Sequence, residues 1–253
     1  LEKTAKNELT IDEAERLLRF FALEEISDCA KIDVNREFRS NVPEIILAEG
    51  KTNSDLAKIA SKMLQARGRV IISRCSPEQS AALQKALPEN VTFQRHERAR
   101  IVIIKKSGAT IPPSGGKIGV LTAGTSDIGV AEEAKIVAEE LGCTVLTAYD
   151  VGVAGIHRLW APLKEFVSKD VDCLVVVAGR EGALASVVAG LVDVPVIAVP
   201  TSNSYGFGEK GVSALMAMLQ ACSLGLAVVN IDAGVAAGAV AALIANRAAK
   251  FRK

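Results

Sequence analysis

From Gly116 onward the chain repeats one pattern: a short unbroken apolar run, a turn of small and polar residues, then a helix-length stretch. Parallel strands cannot be joined by tight hairpins, and a helix-length connector is the crossover they require. Apolar runs without alternation are what strands show when both faces of their sheet are covered. The pattern therefore predicts an α/β fold, a doubly wound parallel sheet with helices on both faces. Its clearest unit is GKIGVLTAGTSDIGVAEEAKIVAEELG, Gly116 to Gly142. It reads as a strand from Ile118 to Thr122, a turn holding Gly124, Thr125, Ser126 and Asp127, and a helix opening near Ile128.

The same pattern predicts strands at Thr144 to Ala148, Cys173 to Ala178, Val196 to Val199 and Ala227 to Ile231, with helices opening near Pro162, Gly182, Gly211 and Gly234. In such sheets ligands gather beyond the carboxyl ends of the strands. The residues that follow each strand are therefore the candidates. They are Gly124 to Asp127; Asp150, His157 and Arg158; Gly179 to Gly182 with Arg180 and Glu181; Ser202, Ser204, Tyr205, Glu209 and Lys210; and Asp232. A turn that opens a helix leaves backbone N–H groups where the macrodipole favours negative charge, which suits a phosphate or carboxylate. The plainer reading of Ser126 or Asp127 is an N-cap. The turn is neither G-x-G-x-x-G nor G-x-x-x-x-G-K-[ST], so neither nucleotide fingerprint applies.

Ahead of this region SGATIPPSGG, Ser107 to Gly116, cannot continue an element and reads as a linker. It separates an N-terminal helix and small α/β domain, 1–110, from a parallel α/β catalytic domain, 117–253. In the first, an amphipathic helix runs from Thr10 to about Ala30, with Thr10 and Glu13 as a capping box. Strand Glu44 to Ala48, helix Asn53 to Ala66, strand Val70 to Ser73, helix Pro77 to Ala86 and strands Val91 to Gln94 and Ile101 to Lys105 follow.

Composition narrows the function classes. A formal net charge of +1 over 253 residues offers no electrostatic case for nucleic acid or a membrane surface. No apolar run reaches the roughly 18 residues that span a bilayer, and the polar start is unlike a secretory signal. Five scattered cysteines (Cys29, Cys75, Cys143, Cys173, Cys222) without a C-x-x-C pair point to reduced thiols and a cytoplasmic location. Two histidines and no H-E-x-x-H leave a dedicated metal site without support.

The turn GTSD, the pair His157–Arg158, the run AGREGALASVVAGLVDVPVIAVP and the helix GVAAGAVAALIA together resemble the aminoimidazole ribonucleotide carboxylase/mutase superfamily. The resemblance covers the whole region after the linker. The N-terminal unit and the stretches REFRSNVPEIILAEGKT, DVGVAGIHR and MLQACSLGLAVVNID are similar to one branch, the LarB carboxylase/hydrolases of nickel-pincer nucleotide synthesis. That resemblance implies a flavodoxin-type strand order. It also implies carboxylation of nicotinic acid adenine dinucleotide at pyridinium C5 and cleavage of its phosphoanhydride. The products would be pyridinium-3,5-biscarboxylic acid mononucleotide and AMP, the first step toward the cofactor of lactate racemase. CO2 or bicarbonate is the co-substrate, magnesium the accompanying ion, and a homo-octamer the assembly.

By the same resemblance Cys222 is the nucleophile that adds to the ring, and Glu181 the base that removes the C5 proton or positions water. His157 handles protons or CO2. Gly124, Thr125, Ser126 and Asp127 meet phosphate and ribose, Arg158 binds phosphate as a bidentate fork, Lys210 joins these phosphate and nucleotide contacts, and Lys210 or His157 is the cation that lowers the thiol pKa. The plainer readings are a buried small hydrophobe for Cys222, a first-turn carboxylate for Glu181 and a hydrogen-bonded loop histidine for His157. Arg39, Lys51 and Arg74 are candidates for the second phosphate or the adenylate half. After the last strand, Ala233 follows Asp232 where a polar residue is expected. Competing readings are a purine-pathway mutase, a nicotinamide-cofactor oxidoreductase and a non-catalytic adenylate-binding module. The apolar helices near Ser213 to Leu224 and Val235 to Ala245 predict self-association.

Overall fold

The computed structural model describes residues 4, 6, 8–18, 24–26, 30–33 and 36–252. They divide into two units, 1–109 and 110–253.

The first unit opens with α1 (Ile11–Leu18), where the Thr10 hydroxyl accepts from the Glu13 N–H and the Glu13 carboxylate accepts from the Thr10 N–H. The helix expected to reach Ala30 is shorter than that. Beyond it, β1 (Glu24–Ile26) and β2 (Ala30–Ile32) form an antiparallel pair, with Ile26 opposite Ala30. Short apolar runs satisfy either period, and here a cross-strand partner decides for the strand. Phe20, Phe21, Leu23 and Cys29 lie outside the described residues.

After α2 (Arg36–Ser40) come β3 (Ile45–Leu47), α3 (Asn53–Arg67), β4 (Arg69–Ser73), α4 (Pro77–Ala86), β5 (Val91–His96) and β6 (Ile101–Lys106). The sheet order is β3-β4-β6-β5, with β3 parallel to β4 and the other pairs antiparallel. Thr52 caps α3, Gly68 ends it in the left-handed region, and Ser76 with Gln79 closes a full capping box on α4. Leu56, Ile59, Met63 and Leu83 from the two helices pack on Ile46, Val70, Ile72, Val102 and Ile104.

In the second unit β7 (Lys117–Thr122), β8 (Thr144–Ala148), β9 (Cys173–Ala178), β10 (Val196–Pro200) and β11 (Leu226–Val228) are all parallel. Their order is β11-β10-β9-β7-β8, the flavodoxin-type arrangement. On one face lie α5 (Ile128–Glu140) and α9 (Gly234–Ala249), whose alanines cover Ile118, Val120, Val175, Val177 and Val199. On the other lie α6 (Trp160–Ser168), α7 (Ala183–Ala189) and α8 (Val212–Leu219), contributing Leu163, Phe166, Leu184, Val188 and Met218. The last strand is shorter than the run to Ile231 predicts. Val229 N–H still donates to Ala198 O, but the Asn230 side chain takes the Ile231 N–H at 2.8 Å and turns the chain out of the ladder.

With few aromatics, the α5–α9 layer closes by bringing backbones together. A Cβ on Gly238 would sit 2.3 Å from Ala134 O, and one on Gly234 would sit 2.2 Å from Val130 O. The glycine- and alanine-rich texture of α9 is thus a requirement of this contact.

Candidate functional site

The strand order reverses at β7, which sends its helix to one side and has β9 on the other, so the crevice lies beyond the ends of β7 and β9. The turn after β7 is a 3-10 turn, Thr125–Asp127, leading directly into α5. Asp127 is 3% exposed, and both of its oxygens are engaged. Oδ2 accepts the Gly124 N–H at 2.9 Å, and Oδ1 accepts the buried Thr201 hydroxyl at 2.7 Å. Asn203 Nδ2 donates to Ser126 O at 2.7 Å. Asp127 is therefore the fastener between the loops after β7 and β10, while Thr125 and Ser126 stay exposed. The partnership with Thr201 and Asn203 spans more than 70 residues of sequence and had no local signal.

After β8, Asp150 takes a left-handed conformation and its N–H donates to Thr122 Oγ1 at 2.9 Å. Arg158, on the 3-10 stretch Val153–Arg158, pairs with Asp150 at 2.6 Å, and both remain partly exposed. His157 beside it is exposed. After β9, Arg180 and Gly182 are both left-handed, which lifts exposed Glu181 from the start of α7. After β10, Ser202 N–H donates to Asp232 Oδ1 at 2.9 Å, and Gly211 N–H donates to Ser204 Oγ at 3.2 Å. Glu209 and Lys210 are consecutive left-handed residues, both exposed. Side chains at such angles are held there by their surroundings. The loops at this rim thus carry Gly124 to Asp127, Asp150, Arg158, Glu181, Lys210 and Asp232.

Cys222 is placed elsewhere. It lies on the loop that enters β11 at the start of that strand, where Val196 N–H donates to Gly225 O. Its neighbour Ser223 donates to Ser186 O at 2.7 Å, one turn into α7. No hydrogen bond among the described residues joins Cys222 to Ser126, Glu181, His157 or Lys210. Burial in a core, the plain expectation for this residue, is also not what the structure has, because Cys222 is exposed. Cys75, Cys143 and Cys173 are the buried ones. Desolvation raises the Cys75 thiol pKa and pushes Cys143 to about 11 and Cys173 to about 12. Among the described cysteines, Cys222 alone is placed to react with a solute.

In the first unit Arg39 pairs with Asp33 and Arg74 with Glu49, while Lys51 lends its carbonyl to the Gln79 side chain. No group of three or more His, Cys, Asp or Glu side chains placed to hold a metal occurs among the described residues. No helix among them is long and apolar enough to cross a membrane.

Against known proteins, residues 23–106 match the LarB/PurE-like N-terminal domain and residues 117–252 match AIR carboxylase. The chain belongs to the LarB family. A relative from Methanocaldococcus jannaschii, itself an uncharacterized protein, is 44% identical over 241 residues, which cover 94% of this chain and 93% of that one. The order of the two domains is the LarB order, and the second domain carries a carboxylase-type role. The crevice beyond β7 and β9 is the candidate site that the strand order points to, bordered by the loops that follow the strands.

Proposed function

We propose that this chain is a carboxylase/hydrolase of nicotinic acid adenine dinucleotide that produces pyridinium-3,5-biscarboxylic acid mononucleotide and AMP. The observation that carries the reading is the exposed thiol of Cys222 in a chain of LarB domain order, beside three described thiols that burial keeps protonated. A pyridinium is electron-poor, and its C5 does not attack CO2. When the Cys222 thiolate adds to a ring carbon conjugated with the nitrogen, the ring becomes a neutral dihydropyridine and C5 gains enamine character. C5 then bonds to the carbon of CO2. Glu181 takes the C5 proton, the C–S bond breaks, and the electron pair returns to the thiolate as aromaticity is restored. Water separately cleaves the phosphoanhydride, releasing AMP.

The remaining residues have supporting roles in this reading. The turn Gly124 to Ser126, at the start of α5, receives the phosphate of the mononucleotide half, with Asp127 holding the turn rigid. Arg158 and Lys210 supply cationic contacts, and His157 relays protons or meets CO2. Magnesium, where the reaction uses it, is held by the substrate phosphates more than by a protein cage, as is common for that ion. Because Cys222 sits off the rim of its own chain, the thiol is supplied by a neighbouring copy in a homo-oligomer, an octamer by superfamily likeness. The exposed Met216, Leu219 and Leu224 around it form the contact. The reaction is cytoplasmic.

The test is incubation of the protein with nicotinic acid adenine dinucleotide and 13C-bicarbonate, followed by mass analysis. A ring product heavier by one labelled carboxyl group, with stoichiometric AMP, is expected. Cys222→Ser is expected to lower carboxylation by at least about a thousandfold with the fold retained, since a hydroxyl is a far weaker nucleophile at neutral pH. Absence of the labelled product, with conversion of carboxyaminoimidazole ribonucleotide instead, assigns the chain to the purine-pathway chemistry that the AIR carboxylase match also permits.

A further inference from the structure

One side-chain pair on the rim has no part in the reading above. The Arg180 guanidinium lies over the Tyr205 ring, 4.3 Å from its centroid. Arg180 follows β9 and Tyr205 follows β10, adjacent strands whose ends border the crevice. Among the described residues the guanidinium forms no ion pair, and its partner is the ring face. Tyr205 is 77% exposed, and the hydrogen bonds that hold the two loops use neither the Arg180 guanidinium nor the Tyr205 ring. Ser213 donates to Arg180 O at 3.0 Å, and Ser204, next to Tyr205, accepts from Gly211 N–H.

A flat, delocalised cation on an exposed aromatic face is held weakly and is exchangeable. A ligand that replaces it in kind brings a planar group bearing positive charge. A quaternary pyridinium does, and a neutral dihydropyridine of the same outline does not. A displaced Arg180 keeps five donors for an anion that arrives with the ring, such as a carboxylate or phosphate oxygen.

We infer that Arg180 is a placeholder on Tyr205, and that Tyr205 is the face that selects a positively charged pyridine ring. This rests on the reading that the substrate carries such a ring. Tyr205 then contributes to ground-state binding, so its loss raises KM more than it lowers kcat.

The experiment measures Kd of the full chain for oxidised and for reduced nicotinamide mononucleotide, two probes of one skeleton that differ in ring charge. Phosphate contacts cancel in the ratio of the two constants. The wild-type protein is expected to prefer the oxidised probe by about two- to fivefold, the range of an exposed cation–π contact. Tyr205→Leu brings the ratio to about one, Tyr205→Phe keeps it because the ring face remains, and Arg180→Ala raises it because the internal competitor is gone. A wild-type ratio of one or less overturns the inference, as does a preference that survives in Tyr205→Leu. These ratios need no turnover. A preserved preference in a protein that carboxylates nothing sinks the proposed reaction and leaves the ring face standing. Turnover with an unchanged KM in Tyr205→Leu does the reverse.

Discussion

Cysteine shows how far residue type is from residue role. The described thiols differ only in where the chain puts them. Cys143 and Cys173 lie in the α5–α9 core, where burial pushes their pKa to about 11 and about 12. At pH 8 a thiol of pKa about 11 is ionised in about one molecule per thousand, and thiolate is the reactive form. Iodoacetamide at that pH is therefore expected to alkylate Cys222 in the native protein and to reach Cys75, Cys143 and Cys173 only after denaturation, as peptide mass mapping would show. Native labelling of Cys173 ahead of Cys222 would contradict the placement of both. Asp127 carries the same lesson, since its sequence neighbours suggest a cap or a ligand contact. In the fold its carboxylate locks two loops together through the Gly124 N–H and the Thr201 hydroxyl.

At the scale of elements, most strands and helices of the second unit were legible because each apolar run is bounded by glycine or polar residues. The faces of the strands then follow from a period of two and those of the helices from a period of about 3.6. The strand β8 and the strand β9 fall on the residues their apolar runs predict, Thr144–Ala148 and Cys173–Ala178. The failures lie where a partner outranks local pattern, in the pairing of Ile26 with Ala30 and in the early exit of β11 at Asn230. The α5–α9 contact makes a prediction at this scale. In an exposed helix Gly→Ala gains about 1 kcal/mol. At Gly238 the added methyl meets Ala134 O, and overpacking of this kind costs about 1–3 kcal/mol. Gly238→Ala is thus expected to lower the thermal midpoint, measured by calorimetry, despite its better helix propensity. A higher midpoint would mean the two backbones are further apart than described.

For the whole molecule, the second unit leaves large apolar side chains in water, with Leu224 at 91% exposure and Met216 and Leu219 above 60%. Exposed apolar side chains of this size on α8 and the loop after it suit a contact surface, which the proposed function assigns to a second copy of the chain. Light scattering is expected to return an oligomer. The double substitution Leu219→Asp and Leu224→Asp is expected to shift it to smaller species and to abolish carboxylation while circular dichroism stays native. A wild-type monomer, or full activity in a dissociated variant, would remove the shared-site reading.

The sequence by itself determined the parallel α/β architecture and the set of rim loops. Apolar runs, periods and glycine turns are local, and right-handed crossovers allow few arrangements of them. Its longer stretches also carried the family. The tertiary structure decided which side chains are partners. Only the fold sets Thr201 against Asp127, lays Arg180 on Tyr205, and leaves Cys222 exposed while its fellow thiols are buried. Those outcomes depend on contacts between residues distant along the chain, and hydrogen-bond geometry and desolvation act through space, without regard to sequence order.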